Sequence, residues 1–349
     1  MRVGPLLAAL VVLAGCASPS DPPAGDGPAA DGAAAGAGSG GAAGDGAAGD
    51  ASPPSPPPGA RPDWVAGQWW TWEVSSTTRP ATKVTTVVAE ATGDGYRVGL
   101  VDPEALVIAL TTHVVPVGDV ARDDLSWDAH GSPVALFDFP LADGKSWTTD
   151  LWFAPGVAVS ARAAEVPGPA GPEPGFAIVG VGPGELVQFR ANWSSARQSL
   201  VSLDLYFGAP QPFDSVRLVD QGVGHTGAVQ VPTVQSPVRT STTLGAVPPG
   251  GAPPPPGRAA FPVATGATSV IFACFLGGAP GLYSAVATPP TGDPARCSNE
   301  NAPADVGFVE QTFVLAASAG EWNVAYAAGG QGVTFVEAFV VTMDEAQPG

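Results

Sequence analysis

Three cysteines, three histidines and one dense run of aspartates are the residues of this chain with the plainest capacity for chemistry. Cys16 stands alone near the start, while Cys274 and Cys297 lie near the end with no histidine in the same region. His113, His130 and His225 are far apart, and none belongs to the His-Glu-x-x-His arrangement that puts two zinc ligands on one helix face. No metal and no cofactor is therefore expected. Gly222-Val-Gly224-His-Thr-Gly227 has the spacing of a dinucleotide fingerprint, but that motif needs a following helix to present amide groups to a pyrophosphate. Here Ala228-Val-Gln-Val231-Pro232 follows, which reads as a strand and then a break. Gly144-Lys145-Ser146 imitates the end of a phosphate loop. Phe139 occupies the place of the loop's first glycine and Trp147 follows, so the stretch reads as the start of a strand.

Asp119, Asp123, Asp124 and Asp128 form the acidic run, with Trp127 and His130 beside them. Carboxylates on a loop can hold calcium, and carboxylates flanking an aromatic ring can bind a sugar or cleave a glycoside. The run contains no glycine and fits no calcium-loop spacing, so it reads as a solvated loop, and a hydrolase is the least favoured function. Tryptophan is less ordinary, because seven of the nine fall between residues 64 and 152. In Trp69-Trp70-Thr71-Trp72, strand alternation puts Trp70 and Trp72 on one face and Trp69 on the other. A sheet buries one face, so Trp69, Trp70, Trp72 and Trp127 are the candidate binding surface for a protein, a glycan or an apolar ligand.

The beginning of the chain reads as an address. Arg2 supplies a positive start, and Leu6 to Leu13 form an apolar run well short of the roughly 20 residues that span a bilayer. That is the layout of a cleavable export signal over residues 1–15. Leu13-Ala14-Gly15-Cys16 resembles the lipobox of prokaryotic lipoproteins. The resemblance implies a mature chain beginning at a lipidated Cys16 and held to a membrane on the extracytoplasmic or cell-surface side. Ala17 as the next residue would permit outer-membrane sorting. Each buried acyl methylene contributes about 0.8 kcal/mol, so two or three chains anchor firmly.

Residues 16–61 follow the lipidation site with almost nothing except Gly, Ala, Pro, Ser and Asp, which cannot offset the entropy of ordering and so reads as a disordered tether. A second segment, 246–257, is rich in proline and glycine and reads as a stiffer linker. The folded units are then 62–245 and 258–349, both of ordinary domain length. Acids outnumber bases 32 to 14, for a net charge of −18. The excess is spread over both units, 19 to 10 in the first and eight to two in the second, which argues against a nucleic-acid partner.

Both units read as β. Trp70 to Val74 and Tyr96 to Leu100 alternate apolar with polar, and Thr82 to Ala91 runs into Thr92-Gly93-Asp94-Gly95, a hairpin signal. Leu186 to Trp193, Leu200 to Phe207 and Phe213 to Val219 are further strands, while Ala105 to Leu110 fits helix or strand. The second unit offers Val270 to Leu276, Leu282 to Ala287, Gly307 to Ala316, Trp322 to Tyr326 and Val333 to Val341. The expectation is two antiparallel β domains, the first a sandwich or open barrel and the second a jelly-roll-like sandwich. Outside the reducing cytosol, Cys274 and Cys297 are expected to form a disulfide. Gly-x-x-Trp-Thr recurs at Gly67 and Gly144, with a shorter relative at Gly320-Glu321-Trp322. With Phe139-Pro140-Leu141 ahead of the second copy, the pattern resembles β-rich prokaryotic surface lipoproteins. Residues 258–349 look loosely like the jelly-roll modules appended to secreted prokaryotic proteins. The function expected is a lipid-anchored envelope protein presenting β domains for binding or structural roles, without catalysis. A carrier or chaperone with an apolar ligand in a Trp-lined half-barrel is the alternative.

Overall fold

The computed structural model describes residues 59–77, 79–112, 114–128, 133–151, 154–206, 210–244, 257–278, 282–298, 308–329 and 332–348. Cys16, the tether up to residue 58, His113, His130, Trp152 and the linker up to residue 256 lie outside them. The first strands are β1 (Trp69–Ser76), β2 (Arg79–Ala91) and β3 (Gly95–Leu100), followed by a short helix, α1 (Leu106–Thr112). After it come β4 (Gly118–Ala121), β5 (Trp127–Asp128), β6 (Pro133–Val134), β7 (Ser146–Leu151), β8 (Ala154–Gly168) and β9 (Gly171–Val181). The next are β10 (Val187–Ser194), β11 (Ser199–Leu205), β12 (Asp214–Gly222), β13 (Val229–Leu244), β14 (Gly257–Val263), β15 (Ser269–Gly278) and β16 (Leu282–Thr288). The last are β17 (Ala295–Ser298), β18 (Phe308–Ala316), β19 (Gly320–Gly329) and β20 (Gly332–Ala346). The fold is mainly β and antiparallel.

Local chemistry explains the early elements. Along β1 the side chains of Trp70, Trp72 and Val74 are buried while those between them are not, as alternation requires. At the β2–β3 turn, the Thr92 hydroxyl accepts from the Gly95 amide at 3.1 Å and lies 3.1 Å from the Gly95 carbonyl, closing the hairpin that Asp94-Gly95 signals. Asp102 accepts from the Glu104 amide at 2.9 Å and Pro103 follows, which starts the helical turn leading into α1. The repeated Gly-x-x-Trp pattern has one geometric cause. Gly67, Gly144 and Gly320 all hold positive φ, at 77°, 75° and 131°, and turn the chain into β1, β7 and β19. Ahead of β7, Lys145 donates to the Pro140 carbonyl at 3.1 Å and sits 5.9 Å from the Trp147 ring centroid, tying the Pro-Leu end of the pattern to its tryptophan.

Strands β7–β8–β9–β10–β11–β12–β1–β2–β3 are neighbours in that order, with β4, β5 and β6 branching from β3. β7 pairs only with β8, so the sheet is open rather than a closed barrel. Its inner face forms one core in which Trp70, Tyr96, Phe189 and Trp193 meet Leu106 and Leu110 of α1 and Leu136 and Phe137 ahead of β7. The interior of the curled sheet is therefore filled by the protein's own helix and connecting segment.

β13 joins this sheet to a second unit, pairing with β3 at Gln230–Leu100 and with β20 along nearly its whole length. From β13 onward the strands pair as nested hairpins: β13 with β20, β14 with β19, β15 with β18 and β16 with β17. β15 also pairs with β20, and β16 with β19, which rolls the nest into two four-stranded layers, β18–β15–β20–β13 and β14–β19–β16–β17. That is a jelly roll. Val270, Phe272, Val336 and Ala338 of one layer pack against Phe261, Ala285, Trp322 and Val324 of the other. Cys274 of β15 and Cys297 of β17 are joined by a disulfide across the layers, with Cα atoms 6.6 Å apart.

Two differences from the sequence reading matter. The jelly roll begins at Val229, ahead of the 246–257 linker, because its first strand pairs with its last. Pro232 does not end that strand. It lies beyond Gln230, the last residue of β13 paired with β3, so one flank of the strand has no ladder there, and Pro237 falls in the register shift between Gln235 and Val238.

Candidate functional site

The acidic run falls at β4 and the segment after it, and three of its carboxylates, those of Asp119, Asp123 and Asp124, are already engaged. Asp119 of β4 faces Arg97 of β3 at 3.9 Å, and the same guanidinium reaches Asp344 of β20 at 3.4 Å. Asp123 pairs with Arg61. Asp124 accepts from the Ser126 amide at 2.9 Å, a local turn bond. Among the described residues no three His, Cys, Asp or Glu side chains converge as metal ligands. The acidic turn instead fastens the segment that enters the fold. Arg122 pairs with Asp63, whose hydrogen bond raises the guanidinium pKa above its ordinary value, and Arg122 also lies 5.3 Å from the Tyr96 ring centroid. Between these pairs, Trp64 wedges against Trp70 and Tyr96 at centroid distances of 4.6 and 5.0 Å, and its amide donates to the Tyr96 hydroxyl at 3.2 Å.

The four tryptophans separate by sheet face. Trp70, Trp72 and Trp127 expose 1%, 3% and 3% of their surface and belong to the core, so in this structure they present no ring to a partner. The Trp72 indole donates to Thr86 at 3.0 Å, while the Nε1 atoms of Trp70 and Trp127 have no hydrogen-bond partner among the described residues. Trp69 points to the outer face. It is half-buried, packs against Val87, Ala89, Val229 and Val231, and lies over Gly222, the residue opposite it on β12. His225 sits in the neighbouring loop, its amide bonded to the Gly67 carbonyl at 2.9 Å, and its Nε2 is buried with no hydrogen-bond partner among the described residues. His225 and the acidic run are not brought together as a catalytic set.

No protein-family model matches the chain, and no curated protein matches its sequence. Among solved structures, an exo-beta-1,3-galactanase from Phanerochaete chrysosporium with galactose is similar over 77% of this chain and 68% of its own, at 10% identity and a TM-score of 0.19. A glycoside hydrolase family 43 arabinoxylan arabinofuranohydrolase from Bacillus subtilis, in complex with cellotetraose, is similar over 78% of this chain and 79% of its own, at 11% identity and a TM-score of 0.17. At such scores the likeness transfers neither fold nor function.

The residues that sequence reasoning missed are Arg61 and Arg97, which pair with Asp123 and Asp119 of the acidic run, and Arg122, which pairs with Asp63. Nothing local marks them, since each acts on strands or turns distant in sequence.

Proposed function

We propose that the chain is exported, lipidated at Cys16 and held at a membrane surface, where its β units serve binding or envelope architecture rather than catalysis. The observation that carries this reading is the disulfide between Cys274 and Cys297, buried between the two layers of the jelly roll. Disulfides of this structural kind form and persist in oxidising compartments, the setting that the export signal and the Leu13-Ala14-Gly15-Cys16 motif imply. The engagement of Asp119, Asp123 and Asp124 in ion pairs and a turn speaks against a hydrolase built on them. The filled interior beneath Trp70 and Trp72 speaks against a carrier that encloses its ligand there. Binding is then a matter of outer surfaces, and Trp69 is the aromatic candidate that reaches one.

Expression in a bacterium with lipoprotein processing tests the anchor. The mature chain is expected in the membrane fraction, with an amino-terminal peptide carrying a diacylglyceryl group on Cys16. Cys16→Ser should move it to the soluble extracytoplasmic fraction. An unmodified Cys16, or a Cys16→Ser protein still held in the membrane, would rule the anchor out.

A further inference from the structure

Bases are scarce in this chain, 14 against 32 acids, so their placement carries information. Six of the described ones stand in ion pairs. Arg61, Arg97, Arg122, Lys145, Arg197 and Arg217 each pair with an acid. Lys83, Arg162, Arg190 and Arg258 have no ion pair among the described residues, and all four are exposed. The first three stand on the same face of the large sheet, the one turned away from the core, and Arg258 lies on β14 of the other sheet.

The ladders fix their places. One row in register crosses seven strands, from Arg162 on β8 through Asn192 on β10, Ser202 on β11 and Arg217 on β12 to Lys83 on β2. The adjacent row holds Ser160, Arg190, Asp204 and Ser215. Six steps of about 4.8 Å make the first row about 29 Å long. Between Arg162 and Arg217 the first row carries Ala177, the Asn192 amide and the Ser202 hydroxyl, and Glu73 of β1 stands between Arg217 and Lys83; in the adjacent row Asp204 stands opposite Arg190. The Asn192 amide donates to Ser202 at 2.7 Å and the Ser215 hydroxyl to Asp204 at 2.6 Å, so these groups are held in fixed orientations. Arg190 lies 5.5 Å from the ring centroid of Tyr206, and Trp69 lies on the same face farther along β1. None of the exposed large apolar side chains, Val65, Val101, Leu186, Val223 and Val314, stands on these rows.

We propose that this outer face, from Arg162 and Arg190 across to Lys83, docks an acidic polysaccharide of the uronic-acid type. Charge complementarity selects the occupant. On the two rows Arg162, Arg190, Arg217 and Lys83 stand against Asp204 and Glu73, a local positive excess on a chain of net charge −18 that favours a carboxylated partner, and the ordered Asn192, Ser202 and Ser215 groups suit one that also carries hydroxyls. An anionic bilayer is the weaker match, because the face offers no apolar side chain to insert among lipids. The inference deepens the binding role proposed above. Its failure would be distinct from failure of the anchor, because it is tested in solution without acyl chains.

The full chain carrying Cys16→Ser is titrated with polygalacturonate at about 0.15 M salt, where exposed charges farther apart than about 8 Å are largely screened. Dextran and phosphatidylglycerol vesicles serve as comparisons. Polygalacturonate is expected to bind and dextran not. Arg162→Gln/Arg190→Gln should weaken binding about tenfold with an unchanged melting temperature, since both side chains are exposed. Arg258→Gln, on β14 of the other sheet, should leave binding unchanged. The proposal is overturned by no polygalacturonate binding, by equal binding of the Arg162/Arg190 variant, or by vesicle binding that is tighter and depends on the same two arginines.

Discussion

Gly180 on β9 lies opposite Phe189 on β10, and the phenyl ring of Phe189 occupies the space above the glycine. A Cβ placed on Gly180 would meet three ring carbons, the farthest of them, Cζ, at 2.8 Å. Ordinary carbon contacts are about 3.5–4.0 Å, so the ring or the strand must give by about an ångström. Phe189 is fully buried in the core with Ala191 and Trp193 on the same strand, and its ring has no solvent to move into. Overpacking of this kind costs about 1–3 kcal/mol. Without the ring the sign reverses, because alanine loses less chain entropy on folding than glycine, by about 0.5–1 kcal/mol. Gly180→Ala is therefore expected to destabilise by about 1–3 kcal/mol in the native background and to be neutral or stabilising beside Phe189→Ala. Phe189→Ala alone should cost about 3–5 kcal/mol. Urea unfolding of the four proteins, with a common slope, supplies the cycle. Equal effects of Gly180→Ala in both backgrounds would refute the reasoning, since the clash would then have no part in the cost.

Two more outcomes concern stability. Cys297→Ser, or reduction of the native protein, should cost about 3 kcal/mol on the chain-entropy estimate for a loop of this size, read as a lower urea midpoint; an unchanged midpoint would mean that the two layers hold their register without the bond. Gly67→Ala should destabilise by at least about 1–2 kcal/mol, because φ is 77° and the new methyl would lie 2.9 Å from the His225 carbonyl oxygen. Gly93→Ala, with open space around it, should be within about 0.5 kcal/mol of the native protein, and similar melting temperatures for the two would contradict the assignment.

Strands announced by their own side chains were legible. Trp70 to Val74 and Tyr96 to Leu100 alternate, and Thr92 to Gly95 carries a hairpin's turn chemistry, so β1, β2 and β3 follow from local rules. β8 and β9 did not stand out, because Ala, Gly and Pro fill much of both and small residues give weak strand preference. β13 was hidden by its prolines and by its partner, which lies about a hundred residues later. Composition marked 246–257 as a boundary, yet topology places the first jelly-roll strand on the other side of it. At the candidate site, alternation separated Trp69 from Trp70 and Trp72 correctly, but it does not say which face is the covered one. That depends on α1 and on the segment around Leu136 and Phe137, which close over the tryptophans from a distance in sequence.

The nested pairing of the second unit also orders its assembly in time. β20 is central to its layer, flanked by β13 and β15, yet of the twenty strands described it is the last to leave the ribosome. Until it emerges, the ladder pairing of β13 among the described residues is the single Gln230–Leu100 pair with β3, and β15 pairs with β18 alone. Such non-local pairing folds slowly, and exposed strand edges in the meantime are sites of misassembly. On the proposed reading of export, that delay has a use: a polypeptide whose closing strand arrives last would stay open enough to be threaded through a membrane channel and lock only after crossing.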